Sequence, residues 1–121
     1  MKLPSPDHPI SIAPAGKRVR VKFAGRLIAD STRALALREA GHALVHYIPR
    51  TDADMTLLQP SDHRSHCPYK GDASYFTIVV DGNQAENAVW SYEQPFPAMA
   101  EIAEYLAFYS KKVDAIEEEP A

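Results

Sequence analysis

Apolar and polar residues alternate near the start of the chain. Between residues 18 and 23, three apolar side chains alternate with three basic ones, a period of two that indicates a strand with one buried face. Three more short apolar segments follow, separated by turn signals, at 26–30, 34–39 and 44–48. Four short strands at such close intervals predict an antiparallel meander.

The strongest local signal is a hairpin in the second half of the chain. Residues 75–80 are β-branched or aromatic, Asp81-Gly82 is the dipeptide favoured in type I′ turns, and residues 83–92 return. A two-residue turn sets the register, which pairs Val80 with Asn83 and continues to Tyr75 with Ala88, Ala73 with Trp90 and Gly71 with Tyr92. One face is then core: Phe76, Ile78, Val80, Ala85 and Val89. The other is aromatic yet polar: Tyr75, Thr77, Glu86, Trp90 and Tyr92.

The remaining segments are weaker. Residues 54–58 favour a short strand over a helical turn capped by Asp52, and a long loop follows as far as Gly71. Apolar spacing after Pro97 predicts one short α-helix near 97–105, and residues 107–109 and 113–116 predict a closing hairpin. We therefore expect a mainly β domain over residues 17–116. Prolines leave residues 1–16 as an irregular arm, and residues 117–121 form a solvated acidic tail.

Composition excludes several functional classes. The 121 residues carry a formal charge of −3, so no basic surface predicts a nucleic-acid partner. No apolar run approaches the roughly 20 residues that a membrane helix needs. A single cysteine cannot form an internal disulfide and suits a reducing compartment, so we expect a cytoplasmic protein.

Residues 63–71 concentrate reactive side chains. Cys67 is a candidate nucleophile if His63 or His66 acts as its base; the alternative is a small, partly buried apolar residue. His63, His66 and Cys67, with a distant ligand such as His46, also suggest zinc, but adjacent ligands and the lack of a Cys-x-x-Cys motif argue against it. We expect no metal and no cofactor.

Lys70-Gly71 and the nearby aromatic face suggest a binding site. A lysine beside exposed backbone N–H groups can hold an anion, although it can equally be a lysine at the start of a strand. The aromatic side chains can stack on a flat ligand or form a second core or an interface. The candidate catalytic residues are Cys67, Lys70 and Tyr47. The candidate ligand-binding residues are Tyr75, Trp90, Tyr92, Gly71, Asp52 and Tyr109.

Several short motifs, in this order and spacing, resemble one family. They are Val19-x-Val21-x-Phe23-x-Gly25, Ile28-Ala29-Asp30-Ser31, Tyr47-x-Pro49, Cys67-Pro68-x-Lys70-Gly71, Ala88-x-Trp90-x-Tyr92 and Ala107-Phe108-Tyr109. The chain resembles the DUF427 family from Arg18 to Asp114. The resemblance implies a β-tent (Mss4-like) fold of antiparallel sheets. The structural zinc of many β-tent domains needs paired Cys-x-x-Cys motifs, which this chain lacks.

Two functional hypotheses follow. In the first, the chain binds a small anionic or planar ligand against the aromatic face, with Lys70 and the Gly71 backbone holding any charge, and catalysis stays open. In the second, the same face is a non-catalytic interaction module that docks a protein partner or a second copy of the chain.

Overall fold

The computed structural model describes residues 1–121 and is mainly β, which confirms the predicted fold class. Ten strands form three antiparallel sheets. The strands are β1 (Ile10–Pro14), β2 (Lys17–Phe23), β3 (Arg26–Ser31), β4 (Leu35–Glu39), β5 (Val45–Tyr47), β6 (Leu58–Cys67), β7 (Gly71–Val80), β8 (Asn83–Ser91), β9 (Ala107–Phe108) and β10 (Ala115–Pro120). Short 3₁₀ helices lie at Arg50–Asp52, Met55–Leu57, Pro97–Ile102 and Ser110–Lys112. None of these helices is long and apolar enough to cross a membrane.

The strands predicted from the first alternating segments are present, but they do not form one meander. The strand order is β10-β2-β3 in one sheet, β1-β4-β5 in the second and β6-β7-β8-β9 in the third. The turn after Ser31 therefore carries the chain from the first sheet to the second. The meander prediction fails between β3 and β4, because the edge of β4 that would face β3 pairs with β1, whereas β4 and β5 do pair.

Both ends of the chain contain strands that the sequence interpretation left irregular. Residues 10–14 pair with β4, from Ile10 opposite Glu39 to Pro14 opposite Leu35. Prolines flank this edge strand rather than interrupt it, and an edge tolerates them. The predicted acidic tail is part of β10, where Glu117 and Glu119 form ion pairs with cations of β2. β10 pairs with β2 and β9 pairs with β8, so the predicted closing hairpin is wrong.

The central hairpin has the predicted turn but not the whole predicted register. Val80 pairs with Asn83 and Ile78 with Ala85. Beyond them, three residues of β8 stand opposite Thr77, with Asn87 in the left-handed region at φ 51°. The register therefore shifts by two, and Trp90 faces Tyr75 instead of Ala73. A shift of two preserves alternation, so both predicted faces persist.

Two other local predictions need correction. The segment expected as a loop before Gly71 is the ten-residue edge strand β6, which has few apolar side chains and is held by backbone pairing with β7. Residues 55–57 form a 3₁₀ helix capped by Asp54 instead of a strand. The predicted α-helix is a 3₁₀ helix at Pro97–Ile102 that buries Met99 and Ile102, a three-residue spacing that suits 3₁₀ geometry.

The buried apolar residues form two clusters. The larger cluster includes Val21, Ile28, Ile78 and Val89 and lies on the predicted core face of the hairpin. The smaller cluster is on the opposite face and is largely aromatic, with Tyr47, Tyr75 and Tyr92 among its members. The aromatic face is thus covered from within the chain by the sheet that contains β4 and β5.

Candidate functional site

A cavity of about 430 Å³ lies between the β1-β4-β5 sheet and the aromatic face of the central hairpin. Seven of the nine candidate residues line it: Tyr47, Cys67, Lys70, Tyr75, Trp90, Tyr92 and Tyr109. β6 supplies Ser65 and Cys67, and β4 and β5 supply the opposite wall. We call this space the first cavity.

Lys70 forms a buried ion pair that the sequence interpretation missed. Its Nζ atom lies 2.6 Å from Oε1 of Glu39, and the two side chains are only 9% and 11% exposed. Burial raises the pKa of the Glu39 carboxyl, but hydrogen bonds from Lys70 and His8 outweigh it and hold that pKa below its ordinary value. The carboxylate stays ionised at neutral pH, so the Lys70 charge is already balanced within the protein.

The N-terminal segment completes this polar end of the cavity. Nε2 of His8 lies 2.7 Å from the second carboxylate oxygen of Glu39, and the His8 ring stacks on Tyr69 with centroids 4.1 Å apart. The backbone N–H of Lys2 donates to the Pro68 carbonyl at 2.7 Å. The residues before β1 are therefore attached to the turn that carries Lys70, and they hold Glu39 from the side opposite Lys70.

Cys67 lacks the histidine base that a nucleophile would need. Its only side-chain hydrogen-bond neighbour is the Lys70 ammonium, 3.8 Å from Sγ. His66 is adjacent in the same strand and therefore points to the other face, where it pairs with Asp72 at 2.7 Å. His63 packs its ring edge to face with Tyr75. The arrangement supports the small, partly buried thiol over the activated one.

The tyrosine hydroxyls of the cavity act as hydrogen-bonding groups, not bases. Burial raises the pKa of Tyr47 and of Tyr92 far above the ordinary phenol value, so both stay protonated. The Trp90 indole N–H donates to the Tyr47 oxygen at 3.4 Å. Burial and a hydrogen bond with Tyr75 raise the pKa of Tyr109 to about 12. Tyr47 can thus serve as an O–H donor but not as a general base at neutral pH.

Comparison with known families identifies the domain. The model of the domain of unknown function DUF427 matches residues 11–119. The chain belongs to the DUF427 family. A search of the curated proteins found no match. The matched region of the DUF427 domain includes every residue that lines the first cavity, whereas His8 lies outside it.

Two candidate residues of the DUF427 domain lie outside the cavity. Asp52 accepts hydrogen bonds from the Ser31 hydroxyl at 2.7 Å and from the Arg33 guanidinium at 2.8 Å. The Arg33 contact is the main cause of the lowered pKa of the Asp52 carboxyl. This carboxylate therefore connects β3 to the first 3₁₀ helix. It does not face the cavity.

Gly71 has a structural position beside the cavity wall. Its φ of 113° is a conformation that L side chains rarely adopt, and a Cβ atom there would lie 3.5 Å from the Phe96 nitrogen. The Phe96 N–H donates to the Lys70 carbonyl at 2.9 Å, so the two backbones run close together. A Cβ atom at 3.5 Å would make only an ordinary contact, so the positive φ is what favours glycine at this position.

Glu39, His42 and Ser65 also line the site, and none was among the predicted residues. Ser65 is within hydrogen-bond distance of the Tyr75 hydroxyl at 2.7 Å. Glu39 is the most informative omission. The alternating pattern of residues 34–39 predicts the strand that contains it, but its partner Lys70 lies 31 positions away along the chain. A pattern along one strand cannot show which strand lies across a cavity.

Proposed function

We propose that the DUF427 domain binds a small, planar and uncharged ligand in the first cavity. The observation that carries the proposal is the buried Lys70–Glu39 ion pair beside aromatic walls. The pair contributes no net charge, yet it offers both donor and acceptor groups. The three-sheet arrangement also fits the β-tent fold that the family resemblance implies.

The ion pair disfavours charged ligands. An anion approaching Lys70 would lie near the Glu39 carboxylate, which already holds the ammonium at 2.6 Å, and a cation would be repelled by Lys70. Coulomb repulsion between like charges is several-fold stronger beside protein than in bulk water. Of the two ligand classes expected from the sequence, anionic and planar, the geometry therefore supports the planar one.

An uncharged ring system can use the polar groups that remain. A lysine ammonium has three donors, and Glu39 and Cys67 occupy at most two of them here. Tyr92 also lines the cavity, and its hydroxyl stays protonated, so it can donate a hydrogen bond. A ligand with a carbonyl or ring nitrogen would satisfy these donors while its flat faces contact Trp90 and Tyr47. The cavity volume lies within the range of about 300–1,000 Å³ typical of small-molecule sites.

Binding is better supported than catalysis or docking. Cys67 and Tyr47 border the cavity without a neighbouring base that would activate them, and Lys70 is held in an ion pair with the Glu39 carboxylate. Tyr75 and Tyr92 are only 6% and 7% exposed, because the β4 and β5 side of the molecule covers them. A protein partner would therefore meet only a small part of the aromatic face unless the sheets separated.

A thermal-shift screen tests the proposal. Neutral bicyclic heteroaromatics such as adenine would be compared with phosphates and carboxylates on wild type, Tyr92→Leu and Lys70→Met, since both residues line only the first cavity. At a ligand concentration ten times Kd, stabilisation is about 1.4 kcal/mol. This corresponds to a rise of roughly 5 °C for a domain of this size. We expect neutral rings to give such a rise in the wild type and both cavity variants to reduce it.

The controls are Lys111→Met, an exposed lysine away from the cavity, and Phe96→Leu, an aromatic residue that does not line it. Both should respond like the wild type. Stabilisation by phosphates or carboxylates but not by neutral rings would show that the ion pair does not set ligand charge. Equal responses in cavity and control variants would place the ligand elsewhere.

A further inference from the structure

A second cavity lies on the far side of Trp90 and Tyr109. Its volume is about 180 Å³, and nine of its eleven lining residues are hydrophobic. It opens where β5 and β9 meet β2 and β10, with Val21, Leu44 and Phe108 among its walls. Trp90 and Tyr109, with ring centroids 4.4 Å apart, border both cavities and separate them.

One polar side chain in this apolar lining lacks a partner. The Nε2 atom of His46 is buried and forms no hydrogen bond within the chain. Oε2 of Glu118 lies 3.4 Å away, close enough for an ion pair with a protonated ring, but it forms no hydrogen bond with Nε2. Leaving a buried polar atom unpaired is costly, so a ligand that pairs with it gains affinity relative to one that does not.

We propose that the second cavity binds a single aromatic ring that carries one hydroxyl group, as in phenol. The volume is similar to that of engineered apolar cavities of about 150 Å³ that bind benzene. The Phe108, Tyr109 and Trp90 rings offer edge and face contacts to an aromatic guest. The polar group would reach Nε2 of His46. This site does not depend on ligand binding in the first cavity.

The polar contact predicts a preference that can be measured. Phenol and toluene have similar shapes and differ in the hydroxyl, so titration of each into wild-type protein isolates its effect. We expect phenol to bind several-fold more tightly than toluene in the wild type, and His46→Leu to abolish this preference without abolishing binding. Heteronuclear NMR titration with millimolar ligand would measure both affinities.

Two further variants locate the bound ring. Leu44→Trp would fill the second cavity from a partly exposed position, and Lys70→Met would alter only the first cavity. The inference requires that phenol binding is lost in Leu44→Trp and kept in Lys70→Met. Ile116→Phe, which also narrows only the second cavity, replaces Leu44→Trp if that variant does not fold.

Any of three results would overturn the inference. These are no phenol binding to wild type, phenol binding that survives the filling variants, or phenol binding that Lys70→Met removes. The last result would place the ring in the first cavity and would support the function proposed for it. Failure of the first-cavity proposal, shown by the thermal-shift screen, would leave this test unaffected.

Discussion

Removing either member of the Lys70–Glu39 pair should destabilise the domain, and by different amounts. Glu39→Gln removes the negative charge that balances the buried Lys70 ammonium and leaves it only a neutral amide oxygen and the Cys67 sulfur, 3.8 Å away, as side-chain partners. Loss of one partner from a buried ion pair costs about 3–5 kcal/mol. Because the first cavity gives water access to Lys70, we expect a value near the lower end, about 3 kcal/mol.

Lys70→Met should cost less, since Glu39 would keep its contact with His8 at 2.7 Å. We expect a loss of about 2 kcal/mol, typical of a lost hydrogen bond to a charged group. The double variant Glu39→Gln/Lys70→Met has no buried ammonium, so it should be more stable than the single variant Glu39→Gln. The double-mutant cycle should therefore give a coupling free energy within the range of about 0.5–3 kcal/mol for residues in contact.

Urea unfolding at neutral pH measures these differences. With a slope of about 1.5 kcal/mol/M, a loss of 3 kcal/mol lowers the midpoint by about 2 M. The matched control is Glu101→Gln, which changes an exposed residue of the 3₁₀ helix at Pro97–Ile102 and should leave the urea midpoint unchanged. If both single variants cost less than about 0.5 kcal/mol, the value usual for exposed pairs, the pair is screened by solvent. The argument for an uncharged ligand would then fail.

The stability of the same variants should depend on pH. Burial raises the pKa of Glu39, but hydrogen bonding from Lys70 and His8 outweighs burial and lowers that pKa in the folded protein below its ordinary value of 4.5. A carboxyl of this kind stabilises the fold above its unfolded pKa, and the contribution is lost as the pH falls through the folded pKa. The stability difference between wild type and Glu39→Gln should therefore be full at pH 7 and should shrink below about pH 4.5. A difference that grows on acidification would refute the assignment.

Three other changes have expected outcomes. Gly71→Ala should lower the free energy of unfolding by about 1–2 kcal/mol, since the φ of 113° strains any other residue; an unchanged urea midpoint would contradict this. His8→Ala should weaken the attachment of the N-terminal segment and increase the alkylation rate of Cys67 by iodoacetamide, and an unchanged rate would show that this segment does not restrict access to the cavity. Tyr47→Phe should leave unchanged the phenolate absorbance that develops before alkaline unfolding, because burial raises the pKa of Tyr47; a smaller absorbance would contradict that.

Local features of the fold were predictable because their causes are local. The Asp81-Gly82 turn and the alternation that follows it define the two faces of the hairpin, and those faces persist despite the irregularity at Asn87. The same argument brought Trp90 and Tyr92 to the aromatic side. The positions of β2 to β5 followed likewise from short alternating segments.

Features that depend on distant partners were not predictable. β6 has little apolar periodicity, so only its pairing with β7 reveals it as a strand. β1 looked irregular because of its flanking prolines, and its partner β4 begins more than twenty residues later. Glu39 and His8 entered the site through contacts with Lys70 and Tyr69 that no local pattern contains.

The pairing of β10 with β2 sets the order in which the first sheet can be completed during synthesis. Arg20 and Glu119 are 99 positions apart and meet at 3.0 Å, so completing this sheet closes a very long loop. Contacts of high sequence separation slow folding, because loop entropy is lost before they form. On the ribosome, β2 and β3 must wait as an incomplete pair with an open edge until residues 115–120 have emerged. Slowed elongation near the carboxyl end would prolong that exposure, and aggregation of the nascent chain should be most sensitive there.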